Sequence, residues 1–141
     1  MRVGSIYRHE AFYVDRETGQ LQPKFLVALA QTPGGDIVAR LLTSKAHGRP
    51  EKPPCYHGDP YPGYYLGVLG GRLTTKSWVD LRQLPDLDAA DALVLMRTSL
   101  MTEVAAVPVN ALPALLECVA GANDTTRLQE RSIRDELAAL R

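Results

Sequence analysis

Cysteine is scarce in this chain: Cys55 and Cys118 are the only two in 141 residues. They lie far apart, one in a proline-rich stretch and one in a segment that reads as helix, which gives neither a disulfide framework nor a repeated zinc-ligand spacing. Cys118 is expected to act as a small buried hydrophobe, and a reducing cytoplasm fits this usage. Charge of one sign is lacking too. Sixteen basic and sixteen acidic side chains cancel, so attraction to a polyanion has to come from a local patch rather than from overall charge. The opening MRVGSIYRHE holds no apolar signal core, and no apolar run approaches the roughly 18 residues that a membrane span needs. A soluble, unsecreted, cytoplasmic protein with no membrane association is the expectation. A chain of this length suits a single domain over residues 1–141, large enough for a core without metal or disulfides.

Short strand-like runs dominate. Val3–Arg8 and Ala11–Val14 read as strands before Asp15–Gln20, which supplies turn chemistry. Phe25–Ala30 is a nearly continuous apolar run of strand formers. Pro33-Gly34-Gly35-Asp36 turns it into Ile37–Leu42, its antiparallel partner. Between Ala46 and Gly63 the pattern breaks: this segment holds five of the ten prolines, and proline cannot donate to a sheet ladder. It reads as a long irregular loop of the kind that is either functional or disordered, and its tyrosines argue against plain disorder. Tyr64–Leu69 and Leu73–Leu81 read as strands around Gly70-Gly71, Ala92–Met96 as a strand or short helix, and Thr102–Val107 as a strand stopped by Pro108. Asn110 reads as the N-cap of a helix over Ala111–Ala120, with Gly121 as its stop. A second helix runs from about Asp124 to Leu140 with an apolar stripe of Ile133, Leu137 and Leu140. Strands first and helices last predict a mainly β, α+β fold, a barrel or sandwich with C-terminal helices: a small bent barrel of six or seven strands over about residues 1–110, with the helices over about 111–141, is the expectation. Phe25, Val27, Leu29, Val38 and Leu41 are its expected core.

The order of certain features points further. A Gly-Ser-Ile-Tyr opening strand, a polar hairpin, a basic residue opening Lys24-Phe25-Leu26-Val27-Ala28-Leu29, then Leu41-Leu42-Thr43-Ser44-Lys45 and later Ser77-Trp78-Val79-Asp80-Leu81 resembles the MazF/PemK-like toxins of type II toxin–antitoxin systems. That resemblance implies an SH3-like barrel acting as a homodimer, an endoribonuclease cleaving single-stranded RNA and neutralised by a cognate antitoxin; with no credible metal site in the sequence, the cleavage is expected to be metal-independent and to need no cofactor. It also implies site residues. The family's phosphate-stabilising arginine, usually followed by proline, falls on Lys24, followed here by Phe25; the family's strand-end hydroxyl falls on Thr43, beside Ser44; and its acidic proton-transfer residue resembles Asp80. Lysine departs from the pattern, because arginine grips phosphate with a planar fork whereas lysine offers a mobile point charge.

Metal-independent RNA cleavage needs a base for the 2′-hydroxyl, an acid for the leaving 5′-oxygen and a cation for the phosphoryl charge. Lys24, Thr43 and Asp80 are the expected catalytic set, with His9, His47 and His57 as competing proton carriers. Lys45, Arg49 and Lys52 concentrate positive charge next to Tyr56, Tyr61, Tyr64 and Tyr65. Cations meeting phosphates beside rings on which bases stack suit a single strand. Ser44, Lys45, Arg49, Lys52 and Tyr56 are accordingly the expected RNA contacts. Each feature also has a plainer reading, as a solvated strand start, an end-of-strand turn, a turn-capping aspartate or a loop over the barrel end. The cluster Cys55-Tyr56-His57-Gly58-Asp59 lacks the second Cys/His pair of a structural zinc site, and no metal is expected. Two other readings stand beside the endoribonuclease: a barrel of the same ancestry that binds nucleic acid or protein without cleaving, favoured by Lys24-Phe25, and a gyrase-poison-like toxin.

Overall fold

The computed structural model describes residues 1–140. The strand-forming segments pair as expected from their alternation, in a mainly β, α+β fold consistent with a small bent barrel. In chain order the elements are β1 (Ser5–Val14), β2 (Leu21–Gln31), β3 (Ile37–Thr43), β4 (Cys55–Tyr56), β5 (Gly63–Gly67), β6 (Ser77–Asp80), α1 (Ala89–Arg97), β7 (Met101–Ala106), α2 (Leu112–Ala120) and α3 (Arg127–Leu140). The seven strands order as β4-β5-β6-β3-β2-β1-β7, all paired antiparallel.

Both faces of the central strand β2 are covered. Val27 and Leu29 join the larger core with Val38, Val79, Leu115, Leu116 and Ile133, while Leu26 and Ala28 join a smaller one with Tyr7, Ile37, Ala39 and Met101. This two-sided burial explains why Phe25–Ala30 reads as a continuous apolar run rather than an alternating one. Of the expected core, Val27, Leu29 and Val38 are fully buried, whereas Phe25 and Leu41 are half-buried at the margins. One bulge between Ala28 and Ala30 and another between His9 and Tyr13 bend the long strands.

Several local expectations are corrected. A single strand, β1, replaces the two read over Val3–Val14. Of the two readings of Ala92–Met96 the short helix holds, within α1 and capped by Asp88 accepting from the Asp91 N–H; what is corrected is the order, since one helix precedes the last strand. Asn110 does not cap α2; Ala111 occupies that position without a side-chain bond. At α3, Thr126 Oγ1 accepts from the Gln129 N–H and Gln129 Oε1 accepts from the Thr126 N–H, both at 3.1 Å, a reciprocal capping box. Ile133 and Leu137 of its stripe are buried, but Leu140 is exposed. The cysteines are corrected as well: Cys55 and Cys118 form a disulfide across a sequence separation of 63, tying β4 to α2. No helix among the described residues is long and apolar enough to cross a membrane.

Beneath α3 lies Arg40, fully buried. Its Nη2 donates to Gln129 Oε1 at 3.0 Å and its Nη1 to the Ala39 carbonyl at 2.8 Å. Gln129 Nε2 in turn donates to Asp86 at 2.8 Å. Burial pulls the guanidinium below its ordinary value, with Asp86, Asp124 and Asp80 opposing that effect.

Candidate nucleic-acid interface

Where β2 begins and β3 ends, the sheet opens into a cleft of about 450 Å³. Register explains the meeting: β2 and β3 run antiparallel with Leu26 opposite Leu41, so Lys24, near the start of one strand, comes beside Thr43 and Ser44 at the end of the other. Lys24, Thr43, Ser44, Lys45 and Arg49 all line this cleft. The opposite wall comes from the β5–β6 hairpin and the residues after β6, which bring Arg72, Thr75, Ser77 and Arg82. Among the described residues no carboxylate lines the cleft.

Arg49 has a different task from its neighbours. Its side chain is almost wholly buried, its Nε donates to the Pro62 carbonyl at 3.1 Å and its Nη1 to the Lys45 carbonyl at 3.0 Å. Nη2 stands 3.5 Å from Asp80 Oδ1 and has no hydrogen-bond partner among the described residues. Arg49 therefore anchors the loop that carries Lys45 and His47. Gly63 makes room for it, since a Cβ there would lie 2.5 Å from Arg49 Cδ.

Asp80 sits behind the cleft rather than on its wall. Arg82 Nη2 donates to its Oδ2 at 2.7 Å and the Arg82 main-chain N–H to its Oδ1 at 3.0 Å. Burial pushes this carboxyl upward, but the bonds from Arg82 and the charges of Arg82 and Arg49 outweigh it and hold the group below the usual carboxylate range. An ionised carboxylate so held is a poor source of a proton. Its geometry serves to aim two guanidinium groups.

Tyr61 gathers the basic groups together. His47 stacks on its ring with centroids 4.6 Å apart, and the guanidinium carbons of Arg49 and Arg82 lie 5.4 and 5.2 Å from its centroid, within cation–π range. His47 takes a positive φ of 47°. Lys24 Nζ lies 5.6 Å from the Tyr13 ring centroid, which places a second ring near the cleft mouth.

Lys52 and Tyr56 are not among the lining residues. Lys52 is exposed, and Tyr56 pairs with Gly63 on the sheet's edge strand. His9 and His57 lie elsewhere, leaving His47 as the cleft's imidazole. Sequence reasoning missed Arg72, Thr75 and Arg82 as site residues. Arg82 follows the Val79-Asp80-Leu81 run by a single residue, so an acid–base pair spaced two apart was the available signal; Arg72 had none, because only the fold-back of the β5–β6 hairpin brings it here. The chain matches no protein-family model, no curated protein and no solved structure.

Proposed function

We propose that this chain binds single-stranded RNA in the cleft between β2, β3 and the β5–β6 hairpin, as a protein of the MazF/PemK-like kind. The observation that carries this reading is the lining itself: Lys24, Lys45, Arg72 and Arg82 with His47 and the hydroxyls of Thr43, Ser44 and Thr75, and no carboxylate among the described residues. Cations supply the non-specific attraction to phosphates, hydroxyls position the backbone, and the exposed face of His47 or Tyr13 offers a ring for a base. On a neutral chain such segregation makes a local field rather than a global one. The same reading includes a cytoplasmic homodimer with a cognate antitoxin covering the cleft.

Cleavage would proceed by attack of the 2′-oxygen on phosphorus with departure of the 5′-oxygen. Lys24 and Arg82 flank the developing charge, Thr43 holds a phosphoryl oxygen, and His47 is the side chain of the type suited to moving the proton. Asp80 acts here through Arg82 as a positioning residue. A second reading, binding without cleavage, is favoured by the locked Asp80 and by lysine at position 24.

Fluorescence anisotropy with a labelled single-stranded RNA across a salt series tests binding. Replacing Lys24, Lys45 and Arg72 together with alanine is expected to weaken affinity and to flatten the slope of log affinity against log salt by about 2, since roughly 0.7 counterions are released per neutralised phosphate of a single strand. Unchanged affinity and slope in a folded triple variant would remove the cleft from consideration. Incubating RNA with the protein and a chelator decides between the two readings: product ends bearing a 2′,3′-cyclic phosphate, lost in His47→Ala, support cleavage. Intact RNA at saturating protein supports binding alone.

A further inference from the structure

We propose that Cys55, His57 and Cys118 form a redox-gated site for a thiophilic divalent cation such as Zn²⁺, closed as a disulfide and opened by a dithiol reductant. The site rests on its own residues and not on the RNA reading. His57 Nε2 lies 3.4 Å from Cys55 Sγ and 3.6 Å from Cys118 Sγ. Two ligands on one tetrahedral zinc, with bonds of about 2.3 Å to sulfur and about 2.0–2.1 Å to nitrogen, stand about 3.6 Å apart. The imidazole thus already occupies a corner of the tetrahedron, and only the two sulfurs must separate. All three ligand atoms lie within 4.8 Å of one another, and Cys118 supplies the partner that Cys55 and His57 lack in local sequence.

The surroundings favour a cation. Cys118 lies in the last turn of α2, at the negative end of the helix dipole, and Cys118's own carbonyl accepts from His57 Nε2 at 2.8 Å. His57 also lines an open recess of about 230 Å³ with Asp59, Asn123 and Asp124 and, as its one cation among the described residues, Arg82, which gives a metal ion and a fourth, water ligand a way in. Three protein ligands with an open fourth position are the arrangement of an exchangeable zinc.

The chemistry balances. A dithiol attacks the Sγ–Sγ bond through a mixed disulfide, becomes a disulfide itself and leaves two electrons and two protons on Cys55 and Cys118 as thiols. Zn²⁺ then displaces both thiol protons. At His57 the ring proton moves from Nε2 to Nδ1, so that Nε2 exchanges its bond to the Cys118 carbonyl for the metal.

Cobalt(II) titration of the full chain tests this, comparing the oxidised protein with protein reduced by a phosphine and desalted without oxygen. The expected result is one Co²⁺ per reduced chain, with near-ultraviolet thiolate-to-cobalt charge transfer and the intense visible bands of a four-coordinate ion, bleached by one equivalent of Zn²⁺ and missing from the oxidised chain. Cys118→Ser should remove the charge-transfer band or leave only a single-thiolate remnant. His57→Ala, at an exposed position, should keep the fold by circular dichroism and weaken Co²⁺ binding by at least about tenfold. Equal binding by oxidised and reduced protein, or unchanged affinity in folded His57→Ala, would overturn the proposal.

Discussion

Asp80 faces two arginines of opposite surroundings, and that difference decides what its loss would cost. Arg82 is half exposed and would simply turn to water, so its pair contributes little. Arg49 is buried with one nitrogen already lacking a hydrogen bond, and removing Asp80 would strand its charge. Asp80→Asn is therefore expected to destabilise the fold by about 3–5 kcal/mol, read from urea denaturation at neutral pH. The pH dependence follows from the direction of the shift. Because the folded carboxyl lies below its ordinary value of 3.8, the unfolded chain binds its proton first as pH falls. The Asp80 contribution is thus complete well above pH 3.8 and is lost as pH drops below it through the folded value. Stability of Asp80→Asn should fall less steeply over that acid range than that of the parent; parallel acid limbs would show that the ion pair is energetically idle.

At the scale of elements, α3 depends on its entry more than on its propensity. Thr126 and Gln129 close the capping box, and Gln129 also joins Arg40 to Asp86. Thr126→Ala should cost about 1 kcal/mol, an ordinary cap loss. Gln129→Ala should cost more, because buried Arg40 loses the side-chain hydrogen bond it makes to Gln129. Thermal melts of the two variants check the ranking, and equal losses would mean that Gln129 serves the cap alone. The difference between these elements also marks what local sequence can reveal. The β2–β3 hairpin was legible because apolar runs flank a Pro-Gly-Gly-Asp turn, and with it came the meeting of Lys24 with Thr43 and Ser44. Asp80 came forward as a proton-transfer residue only through the family resemblance and was not legible as a buried anchor, since nothing near it announces that Arg49, thirty-one positions earlier by residue number, would turn inward. Lys52 and Tyr56 belong to the same basic, tyrosine-bearing stretch, yet β4 pairs Tyr56 into the sheet edge and carries it away from the cleft. A stretch of sequence with one chemical character was divided by backbone pairing.

For the whole molecule, the disulfide couples the sheet's edge to the helical layer. β4 has only two residues and a single partner strand, too little hydrogen bonding to hold an edge by itself, so the link to α2 at Cys118 is what fixes it over the core. Crosslinking two cysteines separated by 63 residues removes unfolded-state entropy worth about 4 kcal/mol in the chain-entropy account. Full reduction in a chelating buffer should lower the melting temperature by roughly 10–20 °C for a chain of this size. Beyond this global loss, a further local loss should fall on one side of the molecule, because β1, β2 and β3 are paired with one another over long registers and carry neither cysteine. Amide hydrogen exchange of the reduced, metal-free chain checks this: protection should drop first in β4, β5 and the end of α2, while Leu26–Ala30 exchange only by global unfolding. Uniform loss across β2 and β4 would mean that the crosslink and the central hairpin unfold as one unit.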